Sequence, residues 1–293
     1  MNLSSDKAQQ ATRVLSVLRE KGFSAYLVGG CVRDLVLGRE PADFDVATSA
    51  TPQQVMAIFP ETFAVGAQFG VVLVPVRRDG ADGRRENYAI EVATFRSDGA
   101  YSDGRHPDQV QFSSEARLDV QRRDFTINGL LLDPITEEIL DYVEGRRDLE
   151  RGIIRTIGSP HLRFAEDKLR MLRAVRFAAR FNYAVEAGTF AAIRELAGQI
   201  HQVSHERIRD EILKMLTEGR ARQAFELLDA AGLLEQVLPE IKKMQGVQQP
   251  PQFHPEGDVW VHTLMLLEGL PAGCSRTLAL GVLLHDVGKP PTF

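Results

Sequence analysis

Residues 27–48, LVGGCVRDLVLGREPADFDVAT, join a glycine pair, an Arg-Asp pair and a D-x-D motif in one short segment. A strand predicted over 25–28 runs into Gly29 and Gly30, whose missing Cβ atoms let phosphate oxygens approach the backbone N–H groups. A short helix is predicted over 31–37, ending at a glycine. The ordered combination favours a phosphate-binding turn beside an acidic strand. The alternative is a plain glycine turn followed by a solvated acidic strand.

The D-x-D motif predicts a metal site. Asp43 and Asp45 are expected on one strand, where the two-residue period points both carboxylates to the same face. Such a pair repels unless a cation lies between, and hard oxygen ligands suit Mg²⁺. Glu91 is the predicted third acidic partner, because its strand is expected to pair beside theirs; the equally weighted alternative is a solvent-facing strand residue.

These carboxylates predict two-metal chemistry on a nucleotide. One Mg²⁺ would lower the pKa of an attacking hydroxyl, and the other would neutralise charge on the leaving pyrophosphate. Gly30 and Arg33 would hold the triphosphate through backbone N–H and guanidinium contacts.

The composition is that of an ordinary globular chain. Hydrophobic residues make up 44% and charged residues 26% of 293 residues, with a formal net charge of −5. No apolar run is long enough for a membrane span, so no membrane partner is expected. Cys31 and Cys274 lie far apart outside any metal-like cluster. We therefore predict a reduced, cytoplasmic protein.

Residues 1–145 alternate predicted helices and strands, which indicates an α+β domain. Strands rich in β-branched residues are predicted over 69–76 and 87–95, and a hairpin over 130–143. The polar stretch between residues 96 and 112 is predicted to be a flexible loop.

From about residue 146 the pattern predicts helices alone. Residues 146–242 are predicted to form one all-α region. A Pro/Gln/Gly-rich linker over 243–258 precedes a further helical segment, 259–293.

The segment QRRDFTING, residues 121–129, is a second polar cluster. Arg123 is positioned to reach a phosphate, and Asp124 and Asn128 to orient the sugar or the loop. Taken alone, the pattern favours a helix end with solvated charge. The apolar strand that follows would place the cluster at the rim of the sheet.

The helix EDKLRMLRAVRFAAR carries arginines at every third position: Arg170, Arg173 and Arg176. One interpretation is a solvated face. The other is a base-reading edge, in which Asp167 accepts from an exocyclic amino group and an arginine donates to the ring nitrogen. Cytosine and adenine match that pattern, whereas uracil and guanine would leave buried groups unpaired. One Asp/Arg pair would then admit CTP and ATP and reject UTP and GTP.

Taken together, the chain resembles the class II tRNA nucleotidyltransferases, which comprise the bacterial CCA-adding enzymes and their relatives, the bacterial poly(A) polymerases. The matching motifs are LVGGCVRDLVLGREPADFDVAT, EVATFRSDGAYSDGRHPD, RRDFTING, EGRRDLERGIIRTIG and RFAEDKLRMLRAVRFAARF, with SHERIRDEILKML further on. The resemblance implies a polymerase-β-like nucleotidyltransferase head, a helical neck and body that grip RNA, and Mg²⁺ as cofactor. The same resemblance implies that Asp43 and Asp45 bind the metal and that Gly30, Arg33 and Arg123 contact the nucleotide. It also implies that Asp167 and Arg170 template the base and that Arg173 and Arg176 support the triphosphate site.

The resemblance implies addition of CMP, AMP or both to the 3′ end of tRNA from CTP and ATP. Members of this family that add only C resemble the others with the loop between Thr94 and Val110 shortened. Here that loop is full length, which disfavours an enzyme that adds only C. A poly(A) polymerase that tails generic RNA is the first alternative. An RNA-binding or HD-type hydrolytic protein with an inactive head is the second, and the intact D-x-D and Glu91 argue against it.

Residues 259–293 resemble the start of an HD phosphohydrolase domain, with His262 and the pair His285-Asp286 as candidate metal ligands. Such domains need a further carboxylate downstream. We therefore expect a truncated or vestigial unit without a competent hydrolase site, and core histidines are the alternative.

Overall fold

The computed structural model describes residues 1–79, 85–101, 104, 107–250, 252, 255, 257–290 and 292, with the side chains of 77–79 and 85–87 outside the description. The chain forms two compact units, Met1–Arg151 and Gly152–Phe293. The boundary falls shortly after residue 145, where the sequence predicts the head to end. The further division of the second half into a body and an HD-like segment stays a prediction.

The first unit is an α+β domain built on one mixed sheet. Its helices and strands are, in chain order, α1 (Asp6–Glu20), β1 (Ala25–Val28), α2 (Gly30–Val36), β2 (Asp45–Thr48), α3 (Pro52–Ile58), β3 (Val71–Asp79), β4 (Arg85–Thr94), β5 (Arg96–Asp98), β6 (Val110–Phe112), α4 (Ala116–Gln121), β7 (Leu130–Leu132), β8 (Ile139–Asp141) and α5 (Gly145–Arg151). Short 3-10 turns lie at Ala67–Phe69 and Thr126–Asn128. The six-stranded sheet has the order β3-β4-β2-β1-β7-β8. Only β2 and β4 run parallel among its neighbouring pairs; the others are antiparallel.

Helix α1 covers β1 and β2 because its apolar residues recur at helical spacing. Ala8, Ala11, Leu15 and Leu18 are fully buried, and so is Leu27 on β1. Each such leucine contributes about 1.5–3 kcal/mol of burial. This layer anchors the strand that leads into the glycine pair.

The strand predicted over 25–28 and the short helix predicted after the glycine pair are present as β1 and α2. Gly29 has φ +78°, a conformation that L side chains rarely adopt, and it is the N-cap of α2. Helix α3 begins at Pro52 after a Thr51 N-cap, whose hydroxyl accepts from the Gln54 backbone N–H. The predicted hairpin is β7 and β8.

The D-x-D strand is shorter than the sequence predicts. Strand β2 begins at Asp45, so Asp43 lies in the chain that precedes it. The antiparallel ladder ends where Val28 pairs with Asp45, because the chain turns at Gly29 into α2 and offers no further strand partner. The expectation that both aspartates share a strand is therefore wrong.

The polar segment 96–112 is also more ordered at its ends than the sequence predicts. Strands β5 and β6 pair antiparallel from Arg96 opposite Phe112 to Asp98 opposite Val110. Residues 102, 103, 105 and 106 lie outside the described part of the chain, as does the turn at 80–84.

The second unit is almost entirely helical. Its elements are β9 (Ile153–Ile154), α6 (Pro160–Glu166), α7 (Leu169–Phe181), β10 (Ala184–Val185), α8 (Ala187–Leu196), α9 (His205–Thr217), α10 (Ala221–Ala230), α11 (Leu233–Val237), α12 (Pro239–Lys242), α13 (Val259–Glu268) and α14 (Arg276–Leu284), with a 3-10 turn at Ala197–Gln202. The expectation of helices alone misses one small feature, the parallel pair of β9 and β10. No helix among the described residues is long and apolar enough to cross a bilayer.

Helix α7 is the central helix of this unit. Leu169, Leu172 and Val175 are buried, as their spacing predicts. Arg176 is buried as well, at 5% exposure, so a solvated arginine face is wrong for this position. Its Nε donates to Glu211 on α9 at 2.7 Å, and its Nη1 donates to Glu218 at 3.0 Å. This ion-pair network, formed by Arg176, Glu211 and Glu218, joins α7 to α9.

Replacing Arg176 by methionine should lower the free energy of unfolding by about 3–5 kcal/mol. The buried Glu211 then loses its 2.7 Å partner and keeps only the longer contact of 3.4 Å from the half-exposed Lys214. Urea denaturation followed by circular dichroism measures the change. The matched control is Arg180→Ala on the same helix, a part-exposed partner of Glu218 at 3.5 Å, with an expected loss below about 1 kcal/mol. Equal losses for both variants would contradict the prediction.

Candidate functional site

The acidic centre of the first unit lies where β2 and β4 meet. Asp45 is the first residue of β2 and lies directly opposite Glu91 on β4 in parallel register. The predicted pairing of these two strands is confirmed. Asp43 lies just before β2 and is exposed. All three acidic residues line one cavity of about 170 Å³.

Asp45 has a strongly perturbed acidity. Burial first, and the adjacent Glu91 carboxylate second, raise its pKa to about 6 against the opposite effect of Arg123. No hydrogen-bond donor among the described residues holds the Asp45 carboxylate. Part of this charge is therefore uncompensated, and a cation in the cavity would stabilise it.

Arg123 supplies the positive charge beside the glycine pair. Its Nη2 donates to the buried Asp119 carboxylate at 2.8 Å. Burial alone would lower the pKa of Arg123, but the Asp119 carboxylate outweighs it and leaves that pKa raised. A Cβ built on Gly29 would lie 3.4 Å from the Arg123 Nη1 atom. The guanidinium thus lies against the glycine turn, as a phosphate contact requires.

Arg33 is more buried than the sequence suggests, with 5% of its surface exposed. Its Nε donates to Asp34 at 2.9 Å, and its Nη1 donates to Asn128 Oδ1 at 2.7 Å. The Asn128 side-chain amide donates in turn to Asp124 at 3.2 Å. These contacts bring Arg33, Asp124 and Asn128 together as predicted, and they favour a role in holding the turn that follows Arg123.

The sequence analysis missed Lys7, which also lines the acidic cavity. Its ammonium group donates to Asp43 Oδ1 at 3.2 Å and to the Ala42 carbonyl. It also lies 5.9 Å from the Tyr88 ring centroid. Nothing in the helical pattern of α1 marks this lysine, because only the tertiary fold brings the first turn of α1 to the D-x-D motif.

In the second unit, the predicted base-reading residues are held by ion pairs. Asp167 lies between α6 and α7 and accepts from both terminal nitrogens of Arg207 on α9, at 3.2 and 2.7 Å. Arg170 donates to Glu166 Oε2 at 2.5 Å. Arg173 lies over the Phe177 ring, 5.3 Å from its centroid. Sequence reasoning assigned no role to Arg207, and its polar position on α9 is the one pattern that could have pointed to it.

A second candidate metal centre lies in the same unit. His262 on α13 and His285 and Asp286 after α14 offer three ligand atoms within 4.8 Å of one another. Lys289 donates to Asp286 at 2.7 Å. This is the one such group of three within the described ranges of the chain; the carboxylates around Asp45 lie further apart. Whether this segment is a vestigial HD unit stays a prediction.

The donor set of the acidic centre fits a divalent metal. Asp43, Asp45 and Glu91 offer only hard carboxylate oxygens, which suit Mg²⁺. Burial of Asp45, and next its repulsion by Glu91 and Asp43, raise the pKa of Asp45, and a cation would offset both effects. Carboxylates that repel one another are expected to lie apart until a cation draws them together.

Two family models match the chain over most of its length. Residues 25–155 match the poly A polymerase head domain, and residues 182–245 match the probable RNA and SrmB-binding site of polymerase A. The chain belongs to this nucleotidyltransferase family. The family resemblance read from the sequence motifs is thereby confirmed, and so is the fold class of a nucleotidyltransferase head followed by helices. Members of this nucleotidyltransferase family are metal-dependent.

Curated relatives include both branches of the family. Poly(A) polymerase I of Haemophilus influenzae is 40% identical over 80% of this chain and 52% of its own length. The CCA-adding enzyme of Lactobacillus johnsonii is 38% identical over 88% of this chain and 63% of its own length. A crystal structure of the Bacillus stearothermophilus CCA-adding enzyme in complex with CTP is 39% identical, with a TM-score of 0.69 over 82% of this chain and 56% of that one. The chain thus spans about half to two thirds of the length of these curated relatives.

The raised pKa of Asp45 predicts a pH-dependent stability. A carboxyl group whose pKa rises on folding stabilises the fold fully below its unfolded pKa, and this contribution is lost as the pH rises through about 6. Asp45→Asn should therefore raise the free energy of unfolding by about 1–3 kcal/mol at pH 7.5 in EDTA, with the gain vanishing near pH 4. Urea denaturation at both pH values measures it.

Asp43→Asn is the control, because Asp43 is exposed and its ion pair with Lys7 is worth about 1 kcal/mol or less. A destabilised Asp45→Asn variant at pH 7.5 would show that the charge of Asp45 is compensated in the metal-free protein.

Proposed function

We propose that the chain is a template-independent RNA nucleotidyltransferase that adds CMP, AMP or both to the 3′ end of tRNA. The observation that carries the proposal is the pairing of Asp45 with Glu91 beside the exposed Asp43, next to a glycine turn backed by Arg123. Carboxylates and a cationic glycine turn are what metal-dependent transfer from a nucleoside triphosphate needs. Family membership supports the same reaction class.

In the proposed reaction, the terminal ribose 3′-hydroxyl attacks the α-phosphorus of CTP or ATP. The new P–O bond forms as the bond to the β-phosphate oxygen breaks, and pyrophosphate leaves. A bound divalent metal, which we take to be Mg²⁺, would neutralise charge on the phosphates and favour loss of the proton from the ribose 3′-hydroxyl. The residues that would hold it are Asp43, Asp45 and Glu91.

The protein's other groups would hold and select the nucleotide. The backbone at Gly29 and Gly30 would approach the phosphates, and Arg123 would pair with them. The network of Arg33, Asp124 and Asn128 would keep this turn in place. In the second unit, we assign base selection to Asp167 and Arg170. Arg173 and Arg176 stay predicted supports of the triphosphate site, and the burial of Arg176 favours an indirect role.

The proposed acceptor is the tRNA 3′ end, and the supporting observation is the match of residues 182–245 to an RNA-binding region. The CCA-adding relatives favour tRNA. The similarity to a poly(A) polymerase makes generic RNA the second candidate acceptor. We place the protein in the cytoplasm, where tRNA maturation would require it.

Alanine at Asp43 or Asp45 should lower the turnover number for nucleotide addition at least about a thousandfold, equal to about 4 kcal/mol of the barrier, because the metal loses a ligand. Incorporation of labelled AMP and CMP into a tRNA transcript measures it. Glu40→Ala is the matched control, since Glu40 is an exposed acidic residue in the same segment, and it should keep the wild-type rate.

Added Mg²⁺ should raise the melting temperature of the wild type but not of Asp45→Asn. Full activity of the alanine variants would overturn the metal assignment.

A second experiment identifies the reaction product. Transcripts of tRNA ending before CCA, after C and after CC are incubated with each single nucleotide. We expect C on the first two acceptors, A on the third, and far slower extension with UTP or GTP, because Asp167 accepts from an exocyclic amino group.

Addition of A to the CC-ending tRNA alone would identify an A-adding enzyme. Long A tails on unrelated RNA would identify a poly(A) polymerase and overturn the assignment of tRNA as acceptor.

A further inference from the structure

The Asp167 carboxylate is held from two sides. Asp167 follows the end of α6 at Glu166, and its Oδ1 accepts from the backbone N–H of Leu169 at 3.0 Å. Arg207, forty positions along the chain, donates through Nη1 to Oδ1 at 3.2 Å and through Nη2 to Oδ2 at 2.7 Å. Two parallel N–H···O bonds from one guanidinium fix the plane of a carboxylate as well as its position.

These contacts leave the carboxylate one main direction in which to accept. An ionised carboxyl group has about four lone-pair positions. Three are used here, two by Arg207 and one by the Leu169 N–H. The remaining position is on Oδ2. The Asp167 side chain is 15% exposed and that of Arg207 23%, so the edge is still accessible to a small planar ligand.

We propose that Arg207 is a positioning residue that sets base selectivity by fixing the orientation of the Asp167 carboxylate, an inference that rests on the proposed function. The open position on Oδ2 accepts one N–H from the exocyclic amino group of cytosine or adenine. Uracil and guanine place a carbonyl oxygen there, and two acceptors facing each other leave both unpaired. Without Arg207, the Asp167 carboxylate would rotate about its Cβ–Cγ bond and hydrogen-bond to water. The penalty against uracil and guanine would then be smaller.

The neighbouring template residue is supported in a separate way. Arg170 is held by Glu166, which also accepts from Arg163 at 2.9 Å. Loss of Arg207 therefore removes the support of Asp167 and leaves the Arg170 contacts intact. The effect on selectivity is expected at the amino-group position of the base alone.

The experiment compares Arg207→Ala and Arg207→Lys with the wild type in single-nucleotide addition with ATP, CTP, UTP and GTP. Arg207→Ala should lower kcat/KM for ATP and CTP about tenfold to a hundredfold, chiefly through KM, and affect UTP and GTP much less. The ratio of kcat/KM for ATP over UTP should fall at least about tenfold. Arg207→Lys keeps one donor and should lie between.

Arg209→Ala is the matched control, because Arg209 is an exposed arginine on the same helix that pairs with Asp210. It should keep the wild-type ratios. Melting temperatures of all variants report folding. An unchanged ATP-to-UTP ratio in Arg207→Ala would overturn the inference, whether the rates are unchanged or all four fall equally.

Nucleotide binding separates this inference from the proposed function. Isothermal titration calorimetry with each of the four triphosphates and no RNA gives affinity ratios for the wild type and for Arg207→Ala. A wild type that adds no nucleotide to any RNA overturns the proposed function, and the affinity ratios still decide the role of Arg207. A lower ATP-to-UTP affinity ratio in Arg207→Ala supports the inference, and equal ratios in the two proteins overturn it.

Discussion

The parallel pairing of β2 with β4 is the constraint on which the acidic centre depends. Its register places Asp45 directly opposite Glu91, and the turn before β2 leaves Asp43 beside them. Like charges on adjacent strands destabilise a sheet, and burial together with the Glu91 charge raises the pKa of Asp45 to about 6. The burial of apolar side chains between α1 and strands β1 and β2 offsets the free-energy cost of this repulsion. A cation that binds here would relieve this repulsion, and the electrostatic free energy released would contribute to its binding.

Three arginines of the two candidate sites form ion pairs with carboxylates of the protein itself. Arg123 is fixed by Asp119, Arg170 by Glu166, and Arg207 holds Asp167. Each guanidinium offers five donors, so one carboxylate partner does not exhaust it. The internal partners order these side chains in advance. They do not by themselves make each arginine a ligand, as the buried Arg176 network shows.

Sequence signals predicted what depends on neighbours along the chain. Strand β1, helix α2 and the hairpin of β7 and β8 follow from turn chemistry and strand patterns, and the strand patterns also indicated one distant contact, that of Asp45 with Glu91. Distant contacts made by polar residues on helices were missed. Lys7 reaches Asp43, and Arg207 reaches Asp167, only because tertiary packing brings polar helix faces to these positions. A polar residue on a helix carries no mark of which distant carboxylate it will meet.

The same reasoning explains why an arginine at helical spacing was ambiguous. Arg170, Arg173 and Arg176 share one periodic pattern, yet α9 packs against Arg176 and brings Glu211 to it. Ordering a free arginine costs about 1.5–2 kcal/mol of side-chain entropy, and a partner that orders it beforehand removes that cost from ligand binding. A base edge built from Asp167 and Arg170, each already held, would select through the penalty for unpaired groups. Rigidity of this edge is therefore the physical basis on which cytosine and adenine would be separated from uracil and guanine.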